Sequence, residues 1–262
     1  MCALSSAAYA DGTTSESAQP AGQRVWTVTI GGGTEYGPRY EGARNQSFSF
    51  VPYLDITRFG EAPEPSPPDD NFGFPLIDWH GLEVGPVVGY NTGRSTSDDS
   101  ALEGLPNIDF YVQAGIYAQY WLVPDRFRLR FEGLQALHEN YGFVADLSAD
   151  YFQPIGSRII LSVGPRLSLA DTAYMQNNFG ITPEESAANG TLAPFNIGGG
   201  LKSVGFMVSA DYRFTDTWSL QVYDKYERLL NEVADSPIVS DIGSANQNTV
   251  GVTLRRSFEI SF

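Results

Sequence analysis

The sequence predicts an all-β protein, a transmembrane antiparallel β-barrel of about ten strands, with twelve as the alternative count. Three observations predict it. Apolar and polar residues alternate with period two in runs of roughly 10–14 residues, long enough to cross a bilayer at a tilt and longer than the five or six usual in a soluble sandwich. Tight and long connections alternate along most of the chain, as periplasmic turns and outer loops do in outer-membrane barrels. Among 262 residues, charged side chains make up only 18%, whereas Gly reaches 27, Phe 16 and Tyr 14.

Taken in order, strands are expected near 25–33, 47–57 and 82–90. Cleaner alternation follows. Segment 110–122 sets Phe110, Val112, Ile116, Tyr120 and Leu122 opposite Tyr111, Gln113, Tyr117 and Gln119. Segment 126–137 sets Phe127, Leu129 and Phe131 opposite Arg126, Arg128, Arg130 and Glu132. The same split recurs at 141–151, 158–169, 204–214 and 249–262, while in 217–229 Asp224 interrupts the apolar face. Aromatic residues near strand ends, such as Tyr141, Tyr151, Tyr212 and Phe214, suit interfacial girdles. Region 58–80 fits this scheme least. GEAPEPSPPDD reads as a Pro-rich linker, and 72–78 as an extra short strand that would raise the count towards twelve. Tight turns are expected at Val123-Pro124-Asp125, Pro154-Ile155-Gly156 and Thr215-Asp216-Thr217, and long loops at 91–107, 171–198 and 231–246. Placing the long loops outside puts both termini in the periplasm. Thr182-Pro183-Glu184-Glu185 reads as a helix start, with a helix over 183–189 inside the longest loop. Gly31-Gly32-Gly33 and Gly198-Gly199-Gly200 read as strand ends or bulges.

Residues 1–10, ending Ala8-Tyr9-Ala10, read as the tail of an export signal, and 11–23 as a disordered periplasmic segment ahead of a barrel over 24–262. Cys2 is the single cysteine, so no intrachain disulfide forms. The net charge of −15 argues against nucleic acid as a partner, because phosphate binding requires clustered Lys and Arg. No apolar run approaches the 18 or so residues of a membrane helix.

The predicted interior carries charges of both signs: Arg126, Arg128, Arg130, Glu132, Asp146, Asp150, Arg158, Arg166, Asp211, Arg213, Arg255 and Glu259, with Glu83 and Glu227 beside them. In so narrow a lumen these side chains interlock as a hydrated plug, and left unpaired they would line a small channel. The near balance of signs favours the plug. His80 and His138 sit in expected turns, without the partners a hydrolase needs. No nucleotide-binding, serine-elbow or zinc motif is present, so neither a catalytic residue nor a cofactor is expected. Asp98-Asp99 and Glu184-Glu185 read as solvated loop acids, since calcium requires six to eight oxygens.

Phe258, Ile260 and Phe262 form the terminal aromatic pattern that outer-membrane barrels present to the barrel-assembly machinery. Several loop segments carry a family resemblance. They are Tyr40-Glu41-Gly42, Gly93-Arg94, Leu102-Glu103-Gly104-Leu105, the run Asp171–Thr182 (DTAYMQNNFGIT, with Tyr174, Met175, Phe179 and Gly180), and Ala234-Asp235-Ser236-Pro237-Ile238-Val239. The chain resembles the MipA/OmpV family of Gram-negative outer-membrane proteins over nearly everything after residue 24. The resemblance implies an integral barrel among outer-membrane lipid and lipopolysaccharide. It further implies a scaffold joining a murein lytic transglycosylase to a murein synthase, or, in other branches, roles in adhesion or antibiotic susceptibility. A small-solute channel is the alternative from a different class.

Overall fold

The computed structural model describes residues 25–58 and 64–261. The expected signal remnant, the 11–23 segment and Phe262 lie outside the described residues. Twelve strands follow in order: β1 (Val25–Pro38), β2 (Gln46–Arg58), β3 (Phe72–Gly73), β4 (Ile77–Trp79), β5 (Leu82–Asn91), β6 (Tyr111–Val123), β7 (Phe127–Ala136), β8 (Phe143–Ile155), β9 (Ile159–Ala170), β10 (Gly200–Arg213), β11 (Trp218–Leu229) and β12 (Asn246–Ser261). Ten are long and two are short, so the two strand counts read from the sequence describe the same object. All pairings are antiparallel, in the order β2-β1-β12-β11-β10-β9-β8-β7-β6-β5-β3, with β4 also on β5. The sheet curls into a nearly closed barrel with a seam between β2 and β5.

The sequence decides the faces. Side chains at alternate positions meet opposite solvents, and here the outer one is apolar. Phe50 is 70% exposed and Ile116 61%, whereas Arg128 is 2% and Gln221 0%. Exposed Leu, Val, Ile and Phe with buried Arg, Gln and Asp invert the rule for a water-soluble domain and match a wall facing lipid tails. Aromatic pairs mark both rims. Tyr36–Phe48 and Tyr90–Phe110 lie at the loop end, and Tyr212–Phe214–Trp218 at the turn end.

Several boundaries differ from the sequence reading. β8 runs through Pro154 and Ile155, so the turn moves on to Gly156 with φ 64°. β1 passes straight through Gly31-Gly32-Gly33, which are interior to the strand rather than at its end. The reason is close approach: a side chain at Gly33 would run into the Val252 carbonyl, and the Phe50 ring lies over Gly32.

The connections 39–45, 92–110, 137–142, 171–199 and 230–245 gather at one end, which also carries a 3₁₀ turn (Ser100–Leu102) and four short helices: α1 (Thr172–Phe179), α2 (Pro183–Asn189), α3 (Asn231–Asp235) and α4 (Pro237–Ser240). α2 occupies the expected range, with Thr182 and Glu185 in a reciprocal capping box. Asp99 caps the 3₁₀ turn, and Asp98 accepts from the Ser95 amide, so this acidic pair organises its own loop.

Candidate functional site: a capped and plugged lumen

The loop end is closed by packing. Tyr40, Leu102, Leu105, Ile181, Leu192 and Ile238 form one buried apolar cluster. A second joins Tyr174, Met175, Phe179, Ile197, Leu229 and Val239. The segments that carry the family resemblance therefore meet in space. Polar contacts lock them. Ser236 Oγ donates to the Phe179 carbonyl at 2.6 Å and accepts from Ile238 N at 3.3 Å. Arg94 Nη1 donates to the Asn178 carbonyl at 2.7 Å. Glu41 receives the Tyr174 hydroxyl at 2.7 Å and Lys202 Nζ at 2.6 Å. Burial, reinforced by the Glu41 carboxylate, pushes the Tyr174 phenol well above its usual range, so it stays a donor. Gly180 ends α1, Pro237 opens α4 and Asp235 is exposed.

Below the cap an ionic belt crosses the barrel, and half of it comes from the segment read as a linker. Residues 64–71 turn into the lumen. Asp70 holds Arg128 through two bonds of 2.7 and 3.0 Å, and Arg128 also reaches Asp150 at 3.1 Å. Asp69 holds Arg166 through 2.8 and 3.1 Å, and Arg166 Nη1 lies 2.8 Å from Asp150 Oδ1. Arg130 pairs with Glu132 at 2.7 Å, and Asn71 Nδ2 donates to the same carboxylate at 2.7 Å. Glu64 accepts from Gln119 and from the Trp121 indole, each at 3.0 Å. Burial would raise the Asp69 carboxyl, but Arg166 and Lys225 override it and hold it well below the usual carboxylate range. Residues 72–79 then pair along β5, so the segment is a plug anchored at both of its ends.

The expected interior charges divide into groups. Arg128, Arg130, Glu132, Asp150 and Arg166 form the belt with the plug. Asp211, Arg255 and Gln221 form a second knot near the turn end, with the Arg255 guanidinium 3.9 Å from the Tyr53 ring centre. Asp146 lines the cavity beneath the cap. Arg126 is half-buried at its turn, and Arg158, Arg213 and Glu259 are exposed at the turn end, outside any such knot. Phe258 is 37% exposed on the outer face and Ile260 is half-buried. Sequence reasoning missed Asp69, Asp70, Glu64, Glu35, Glu41, Lys202 and Lys225. The available signal was a pair of adjacent aspartates in a segment without Lys or Arg, beside strands whose inward faces carry arginine.

A cavity of about 1240 Å³ runs from beneath the cap, around the plug, towards the turn end, where Thr57, Asp78 and Glu83 line it. Its walls carry eleven carboxylates against six cationic side chains, so the near balance expected from the strands does not hold: the plug and the upper β1 region add acid that the strand pattern did not count. Among the described residues, no group of three or more His, Asp or Glu could hold a metal ion.

An apolar wall with aromatic rims around a polar, ion-paired lumen defines an outer-membrane β-barrel protein. Its sequence matches the family of MltA-interacting protein MipA over residues 30–258, and the chain belongs to that family. No curated protein matches the chain. Among solved structures it is similar to OprB of Pseudomonas putida (10% identity, TM-score 0.39, covering 70% of this chain and 46% of that one). It is also similar to OmpT of Vibrio cholerae (9%, 0.37, 90% and 98%) and to Neisserial surface protein A (11%, 0.29, 89% and 97%). The chain spans about half the length of OprB.

Proposed function

We propose that this barrel is a non-enzymatic interaction protein of the cell envelope, with its long loops outside, its termini and turns in the periplasm, and murein enzymes as partners on the periplasmic side. The observation that supports it is obstruction at two levels, an apolar cap over the loop end and an ion-paired plug held across the lumen. The name of the family, MltA-interacting protein, supports a murein lytic transglycosylase as a partner, and the family resemblance implies a murein synthase as the enzyme it would be joined to. Pull-down from detergent-solubilised envelope tests it. Co-purification of a murein transglycosylase is expected, and its consistent absence would remove the scaffold reading.

The acid surplus and the cavity volume favour a second reading, a small cation-selective channel. Planar-bilayer recording separates the two. The scaffold reading expects no steady current from the intact protein. Steady cation-selective current would transfer the assignment to the channel.

A further inference from the structure

The cavity is not sealed sideways. The ladder on the seam side of β5 ends at the pair Phe72–Val88, where the chain turns into the lumen, and among the described residues no strand pairs with the outer edge of β2. Pro52 lies midway along β2, and Pro86 turns its backbone to the seam, where its carbonyl accepts from Phe74 N at 3.1 Å. Proline lacks the donor that edge pairing needs, so β2 resists zipping shut, while on β5 the seam side is already taken by residues 72–79 as far as Val88. The cavity is lined by unbroken runs, residues 51–57 and 88–94, so it wraps around the two edges, whereas no other long strand contributes more than three residues in a row. Free backbone groups are tolerated at membrane depth only where they line a wet cavity, so the slot is continuous with the lumen.

The chemistry on the two sides of this slot differs. Outside, Phe48, Phe50, Leu54, Val88 and Tyr90 present exposed apolar surface. Inside, Glu35 accepts only from Ser49 and Tyr223 hydroxyls at 3.0 and 2.8 Å, and Asp55 only from Thr57 at 2.9 Å. Neither has a cationic partner among the described residues. Gln113 Nε2 and the Tyr40 hydroxyl, 6% and 4% exposed, line the same cavity without a hydrogen-bond partner. We propose that the lumen binds a cationic amphiphile entering from the membrane through the β2–β5 slot, its charged head beside Glu35, which lies six strand positions above Asp55, and its tail against the outer face. This is independent of which envelope proteins the barrel engages.

Native mass spectrometry of the full protein released from a neutral sugar detergent tests it, with dodecylamine, dodecanoate and spermidine as probes. A single retained dodecylamine is expected, with about tenfold lower affinity in Glu35→Gln and unchanged affinity in Asp55→Asn. Those replacements keep the acceptors that Ser49, Tyr223 and Thr57 use, so the fold survives. Equal retention of dodecanoate, or of spermidine without a tail, overturns the proposal, as does unchanged amine binding in Glu35→Gln. On unmodified protein, an alkylamine with a diazirine in its tail should label β2 and β5. Labelling spread evenly around the barrel overturns entry through the slot.

Discussion

Arg128 is almost wholly buried, yet it holds two carboxylates, Asp70 from the plug and Asp150 from β8. An interior ion that loses its partner is costly because neither water nor a neighbour compensates it. Arg128→Met should therefore destabilise the folded barrel by about 3–5 kcal/mol. Asp70→Asn, which keeps an acceptor, should cost about 1–2 kcal/mol. Urea unfolding in phospholipid vesicles measures both, and equal effects would mean that charge pairing is not what holds Arg128. Ser236 acts more locally: its hydroxyl satisfies the Phe179 carbonyl and caps α4. Ser236→Ala should loosen the cap by about 1–3 kcal/mol. The readout is faster proteolysis within 231–245 at an unchanged urea midpoint for the strands.

The plug is the element on which permeability turns. Its hold is ionic, through Asp69 to Arg166 and Asp70 to Arg128. Asp69→Asn/Asp70→Asn should weaken that hold and leave the belt arginines in excess. Bilayer recordings are then expected to show steady current where the unmodified protein shows none, still with cation preference because nine wall carboxylates remain against six cations; silence in the double variant would mean that the cap alone closes the barrel. Acid should act through the same group. A carboxyl held below its ordinary value stabilises the folded state at any pH above the unfolded value, about 3.9, and loses that contribution as pH falls through the folded value. The Asp69–Arg166 contribution to closure should thus persist from neutrality to about pH 4 and fail only in stronger acid. At the loop end, Gly93 has φ 77° and a side chain there would strike the Ile108 carbonyl, so Gly93→Ala should disrupt the loop that carries Arg94.

The described residues form a single curled sheet in which the β1–β12 ladder joins the first and last strands, with Trp26–Ile260 to Tyr36–Val250 in register, and whose edges, β2 and β3–β5, face each other across the seam. Such a barrel resists detergent until heated. The purified protein should run at different positions in SDS gels with and without boiling, and Arg128→Met should lower the temperature of that shift. A single band under both conditions would contradict a barrel held together by these ladders.

Alternation along the strands, the α2 cap and the even count of long strands were legible in the residues themselves. Each depends on neighbours a few positions apart and on two solvents that make opposite demands of successive side chains. The Pro-rich segment was misread because nothing local distinguishes an exposed acidic linker from an acidic plug. Its partners lie 58 and 97 residues away, and the Lys202–Glu41 pair under the cap spans 161. The sequence by itself determined a lipid-facing barrel and its family. Only the tertiary structure decided which charges meet, that the motif loops share one apolar core, and that the wall has a seam. The physical reason is that burial and ion pairing depend on distances in space, which ten long strands set by curling rather than by order along the chain.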